Sequence, residues 1–158
     1  MARRLLTSRD IAIDTNVLSV LLCYYRLEFG HLGGPQRERQ LQNVLRRPLP
    51  LEQFESLWNF FGSDRRRIVT QNVVAEAFTN RMRQGDWSRG IGLLREYGLE
   101  ERECCIAYLY ARGEFRRMID EIGPTDAGLI YIAEVEKATI ISEDGRLRPW
   151  AGVRSVPF

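Results

Sequence analysis

Three short apolar runs separated by long stretches of helical spacing confine this chain to one broad class of fold. Ile11 to Asp14, Arg67 to Thr70 and Ala138 to Ser142 read as buried strands, with Val153 to Val156 a candidate last one. Between them, apolar residues recur at helical intervals. The first such stretch runs from Asn16 to about Leu27. Gln36 to Arg47 and Leu51 to Phe61 follow, parted by Pro48 and Pro50, after a loop marked by Gly30, Gly33, Gly34 and Pro35. Further helices are predicted from Asn72, as N-cap, to about Arg83 and from Trp87 to Tyr97. A longer helical region spans Glu103 to about Glu121, and Gly123-Pro124 opens a helix that ends at Glu136 or Lys137. Strands alternating with helices predict an α/β protein whose parallel sheet is covered on both faces.

The 158 residues fit a single domain, 1–158. A chain of this size buries about 68–70% of its extended surface, enough for a core without staples. The three cysteines, Cys23 and the adjacent Cys104-Cys105, have no CxxC spacing, which argues against a disulfide framework and a zinc knuckle. A reducing compartment follows. The apolar stretch after Arg3 and Arg4 is broken by Thr7, Ser8, Arg9 and Asp10, so no signal peptide is expected, and Val17 to Tyr25 is too short to span a bilayer. The expected location is the cytoplasm, with no membrane partner. The net charge of +2 sets up no overall basic field, and Lys137 is the only lysine among the basic residues.

In parallel α/β folds, ligands bind beyond the carboxyl ends of the strands, near a topological switch point. Asp14 and Asp144 stand at or just past strand ends, and Glu76 and Asp126 near helix starts expected at the same edge. Singly, each has an ordinary explanation. Asp14 can cap a helix, Glu76 can be solvated, Asp126 can complement a helix dipole, and Asp144-Gly145 can be a turn. Together they form a set of oxygen donors suited to Mg2+ or Mn2+. Two such ions about 3.5–4 Å apart clamp the attacking and leaving oxygens of a phosphodiester displacement. Ser142 and Asn16, each two residues from an acid, are positioned to support the site.

Other chemistries lack their residues. A haloacid-dehalogenase phosphatase needs an aspartate where Asn16 stands, and a receiver domain needs a lysine at a strand end, whereas Lys137 precedes its strand. No GxGxxG or GxxxxGK occurs, and the lone His31 in the glycine-rich loop rules out histidine triads and histidine-rich metal sites.

The stretches IAIDTNVLS, TQNVVAEAF, PTDAGLIYIAE and IISEDGRL resemble, in order, the four acidic motifs of PIN-domain ribonucleases, and by type the toxins of VapBC toxin–antitoxin modules. The resemblance runs from about residue 11 to 147. It implies a three-layer α/β/α sandwich and Mg2+- or Mn2+-dependent hydrolysis of single-stranded RNA that leaves a 5′-phosphate and a 3′-hydroxyl. Asp14, Glu76, Asp126 and Asp144 would be the catalytic, metal-binding quartet, supported by Asn16 and Ser142. A homodimer and a cognate antitoxin are implied in the same way; housekeeping RNA processing and RNA or protein binding without cutting are the alternatives. The chain departs from a minimal toxin in its extra length between Phe29 and Phe61, its helical stretch from Glu103 to Glu121, and a serine at 142 where threonine is common.

RNA reaching an acidic pocket calls for a basic rim. Arg146 and Arg148, directly after Asp144, are the first candidates for substrate contact. Arg65-Arg66-Arg67, Arg81, Arg83 and Arg116-Arg117 come behind them. The aromatic residues Tyr24, Tyr25, Trp58, Phe60 and Phe61 have spacing that suits a core or a dimer interface better than base stacking.

Overall fold

The structure is a computed structural model that describes residues 10–28, 39, 65–81, 85 and 87–150. Four strands, β1 (Ile11–Ile13), β2 (Arg67–Thr70), β3 (Leu99–Arg102) and β4 (Thr139–Ile141), form one sheet in the order β3-β2-β1-β4. Every pairing is parallel. The helices are α1 (Thr15–Glu28), α2 (Gln71–Arg81), α3 (Trp87–Glu96), α4 (Ile106–Ala111), α5 (Gly113–Ile122) and α6 (Pro124–Glu136), and a 3₁₀ helix spans Gly145–Trp150. None of the described helices is long and apolar enough to cross a membrane. The predicted helices at Gln36–Arg47 and Leu51–Phe61 and the predicted strand at Val153–Val156 lie outside the described residues.

Successive residues of a strand point to opposite faces. All three residues of β1 and all three of β4 are buried, so the sheet is covered on both sides, in a three-layer α/β/α sandwich. The core is continuous from β1 through Val17, Leu18 and Leu21 of α1 to Leu129, Ile130 and Ala133 of α6. Helix α6 lies across β1, β2 and β4, and its Ala127, Gly128, Leu129 and Ile130 are buried in succession. An apolar circumference of this kind belongs to a helix packed on several sides.

Three details depart from the sequence expectation. Strand β3 (Leu-Glu-Glu-Arg) is charged and carries no apolar run, yet it pairs with β2 and is an edge strand among the described residues. Charge on an edge is common protection against pairing with other chains. The region from Glu103 to Glu121 is two helices, because Arg112 is extended (φ −80°, ψ 99°) and interrupts the helical ladder. Helix α2 begins one residue before Asn72, and its cap is Thr70, whose Oγ1 accepts the Val73 N–H at 3.2 Å.

The turn between α5 and α6 aims the acidic start of α6. Gly123 takes φ 92° and ψ 163°, a region open essentially to glycine. It is followed by Pro124 at the start of the helix, where the missing N–H costs nothing. Gly123→Ala is expected to destabilise the protein by about 1–3 kcal/mol. Urea unfolding checks this; a change below about 0.5 kcal/mol, the size of an ordinary surface substitution, would refute it.

Candidate functional site

The chain steps outward from β1 to β2 to β3 and then returns to place β4 on the other side of β1. That reversal makes the carboxyl ends of β1 and β4 the switch point, where open α/β sheets bind ligands. The register pairs Ile13 with Ile141, and the Asp14 N–H extends the ladder to the Ile141 carbonyl at 3.2 Å. The next residues, Asp14 and Ser142, therefore emerge side by side.

Asp14 is only 3% exposed and occupies the cap position of α1, its carbonyl accepting the Leu18 N–H at 2.9 Å. Its Oδ1 accepts the Thr15 N–H at 2.5 Å, and its Oδ2 accepts the Ser142 hydroxyl. The same Ser142 oxygen accepts the Asp144 N–H at 2.9 Å, so one hydroxyl ties the two acidic segments together. Burial raises the Asp14 pKa; the Ser142 and Thr15 hydrogen bonds oppose this, and the charges of Asp144 and Glu76 add to it. The Thr15 hydroxyl beside it is buried with no hydrogen-bond partner among the described residues. A buried polar group left in this way calls for an explanation, such as a ligand.

Asp126 lies in the first turn of α6 with its side chain 15% exposed. A helix N-terminus favours a charged carboxylate. Burial and the neighbouring Asp14 and Asp144 charges outweigh that effect, and the Asp126 pKa is pushed up to about 7 despite the opposing charge of Arg146. Glu76, half-buried in the second turn of α2, adds its charge to both Asp14 and Asp126. Four acids from separate parts of the sequence thus sense one another at one sheet edge. Asn16 is half-buried in the first turn of α1 at the same edge.

Asp144 behaves differently because Arg146 holds it. The Arg146 Nε lies 3.0 and 2.8 Å from its two oxygens and the Nη2 2.5 Å from Oδ2, while the Arg146 backbone N–H donates to Oδ1 at 2.9 Å. Hydrogen bonding to Arg146 is the largest cause of the lowered Asp144 pKa. The same Nη2 stands 3.9 Å from Asp126. Among the described residues, no three carboxylate, histidine or cysteine side chains are grouped closely enough to hold a metal as they stand. The guanidinium between Asp126 and Asp144 supplies the positive charge instead. The donors, all hard oxygens and two of them carboxyls with raised pKa values, suit Mg2+ or Mn2+ in chemistry.

Sequence position alone made Arg146 a rim residue; its place as counter-ion within the acidic group needs the fold. The backbone of Arg148 belongs to the 3₁₀ helix, and its side chain lies outside the described residues. The same holds for the side chains of Arg81, Arg83, Tyr24, Tyr25, Trp58, Phe60 and Phe61. Arg66 belongs to the opposite edge, paired with Asp10, Glu100 and Glu136 at 3.1, 2.8 and 2.9 Å. Arg67 donates to the Tyr97 carbonyl at 2.7 Å, and Arg116 stands 4.6 Å from the Tyr110 ring centroid. Arg117 lies 5.5 Å from the Trp150 ring centroid, a pairing the sequence reading did not make. No protein-family model matches the chain, and none of the curated proteins compared with it matches.

Ser142→Ala removes the link between Asp14 and Asp144 without removing an acid. It is expected to weaken Mn2+ binding about tenfold, the lower end of the range for groups that orient metal ligands, with Ser142→Thr close to wild type. Calorimetric titration with Mn2+ distinguishes the two variants; equal affinity for Ser142→Ala and wild type would remove the orienting role.

Proposed function

We propose that the protein is a Mg2+- or Mn2+-dependent endoribonuclease that hydrolyses phosphodiester bonds of single-stranded RNA. We further propose that it is the toxin of a type II toxin–antitoxin pair, acting in the cytoplasm as a homodimer and held in check by a cognate antitoxin protein. One observation carries the enzymatic reading: Asp14, Glu76, Asp126 and Asp144 are electrostatically coupled at the β1–β4 switch point, with the pKa values of Asp14 and Asp126 both raised. A group of like charges kept at a cost to folding is the expected signature of a site that awaits a cation. The toxin assignment and the antitoxin rest on the resemblance of the four acidic segments.

Asp14, Glu76, Asp126 and Asp144 would hold the ion. When bound, it supplies a Lewis acid for the phosphate and lowers the pKa of water enough to give a nucleophile near neutral pH. Ser142 fixes the Asp14 carboxylate through its hydroxyl. Asp126 gives up its proton near neutral pH, so its charge becomes available as a ligand under cellular conditions. Arg146, once parted from Asp144, offers a guanidinium to a non-bridging phosphate oxygen.

Incubation with defined RNAs, with and without Mn2+, tests the reading. Cleavage that depends on metal, stops with chelator and leaves 5′-phosphate and 3′-hydroxyl ends is expected. A competing reading, a module that binds RNA without cutting, draws on the Arg146–Asp144 pairing, which neutralises part of the site. RNA binding that persists without Mn2+ binding by calorimetry and without cleavage would decide for that module.

A further inference from the structure

We propose that the open groove on the far side of Arg146 holds one nucleotide of the RNA next to the acidic group, with its base on Trp150 and its phosphate taken by Arg117 and Arg146. The proposal rests on the nuclease reading and names where the substrate lies. The groove measures about 470 Å3 and is lined by Arg117, Glu121 and Ile122 from α5 and by Arg146, Pro149 and Trp150 from the 3₁₀ helix. That volume falls within the range of about 300–1,000 Å3 typical of small-ligand clefts.

Continuity is the first argument. Arg146 lines the groove and also contacts Asp144 and approaches Asp126, so the groove begins where the acidic group ends. A strand whose phosphate lies at the acids runs its next nucleotide into the groove.

The lining is the second. Ile122, Pro149 and Trp150 give an apolar surface, and two guanidiniums flank it. A nucleotide needs that combination: bases stack on aromatic faces with little regard to identity, and phosphates take charge-assisted bonds from arginine. Glu121 adds an acceptor that an exocyclic base amine can use.

Arg117 can exchange its present partners for a phosphate. Its side chain is 79% exposed, and its ion pair with Glu121, at 2.6 Å, uses Nε, which leaves the terminal nitrogens as phosphate donors. An exposed pair four residues apart on a helix is weak, so exchange for a phosphate costs little. When a base takes the Trp150 face now under Arg117, the guanidinium turns to the backbone.

The test measures binding of a short fluorescein-labelled oligocytidylate by anisotropy in an Asp14→Asn background, which should not cut. Arg117→Ala, an exposed change that spares the fold, is expected to weaken binding about three- to tenfold and to reduce the salt slope by about one. Trp150→Leu keeps apolar bulk and is expected to weaken binding about tenfold, while Trp150→Phe stays near the parent. Parent-like binding by Arg117→Ala or by Trp150→Leu overturns the groove while the nuclease reading stands. A parent that binds no RNA, together with a wild type that cuts none in Mn2+, overturns both.

Discussion

Asp14→Asn is expected to lower Mn2+-dependent RNA cleavage by about 10²–10⁴-fold while making the metal-free protein more stable. The two effects share one cause. A carboxylate that holds a catalytic ion supports several kcal/mol of transition-state stabilisation, and about 3–5 kcal/mol corresponds to that loss in rate. In the metal-free protein the same carboxylate is buried, with its pKa raised by burial and by the charges of Asp144 and Glu76. Asparagine removes the charge but retains an oxygen for the Thr15 N–H, and its amide can donate to the Ser142 oxygen. A gain on the order of 1–2 kcal/mol is expected, as for other functional groups that sites retain at a cost to stability. A raised carboxyl pKa means the folded state holds its proton longer than the unfolded chain. The advantage of asparagine therefore vanishes at acid pH and grows as pH rises through the folded pKa. Thermal unfolding in chelator at acid and neutral pH, beside a cleavage assay, gives both readouts. Loss of activity accompanied by loss of stability would mean that the substitution merely damages the fold, and intact cleavage would sink the ligand role.

The parts of this fold legible in the sequence were those with dense local signals. Strands β1, β2 and β4 are short apolar runs, and α6 is announced by Gly123-Pro124 and carries an apolar run from Ala127 to Ala133. Strand β3 had no such signal, because its stabilisation comes from elsewhere. It gains a ladder with β2, while Glu100 reaches Arg66 at 2.8 Å and Arg102 reaches Glu136 at 2.7 Å. The break at Arg112 was hidden for a related reason. Its extended backbone is accompanied by a guanidinium lying 5.7–5.9 Å from the rings of Tyr108, Phe115 and Tyr131, contacts set by packing. The four acids could be expected at one edge from the alternation of strands and helices alone. The pairing of Asp14 with Ser142 needed the β1–β4 register, and the position of Arg146 needed the side-chain geometry.

The two ends of the sheet show that acid clustering here is selective. At the amino edge, Asp10, Glu100 and Glu136 interleave with Arg66 and Arg102, and the pKa values of Glu100 and Glu136 are lowered, chiefly by hydrogen bonds to Arg66 and Arg102 respectively. These pairs are partly exposed and contribute modestly to stability. At the carboxyl edge, Arg146 faces Asp144, Asp126 and Asp14, and its hydrogen bonds go to Asp144. Asp14 and Asp126 keep raised pKa values in consequence. Among the described residues, the acids of the amino edge are ion-paired, whereas Asp14 and Asp126 at the switch point are held back from ionisation by burial and by neighbouring acidic charges.

Mn2+ affinity is expected to rise at least about tenfold per pH unit from about pH 5 to about pH 7, because the ion must displace the proton on Asp126 and any that Asp14 still holds. The folded pKa of Asp126 is about 7 against an ordinary value of 3.8. Below that folded value the carboxyl is protonated, and each added pH unit removes a tenfold competition. The same shift sets the stability of the metal-free protein. The contribution of Asp126 is fully present below about pH 4 and is lost as pH rises to about 7, since the folded state then carries a charge that burial and its neighbours disfavour. Bound Mn2+ offsets that loss by mass action, so the stabilisation it provides should be largest at and above neutral pH. Asp126→Asn should make both profiles shallower, weakening Mn2+ binding at neutral pH while protecting the metal-free fold there. Calorimetry in two buffers of different ionisation enthalpy counts the proton released on binding near pH 6, and thermal unfolding in chelator follows the stability. Binding with no proton release and a flat affinity across this window would remove Asp126 from the ligand set.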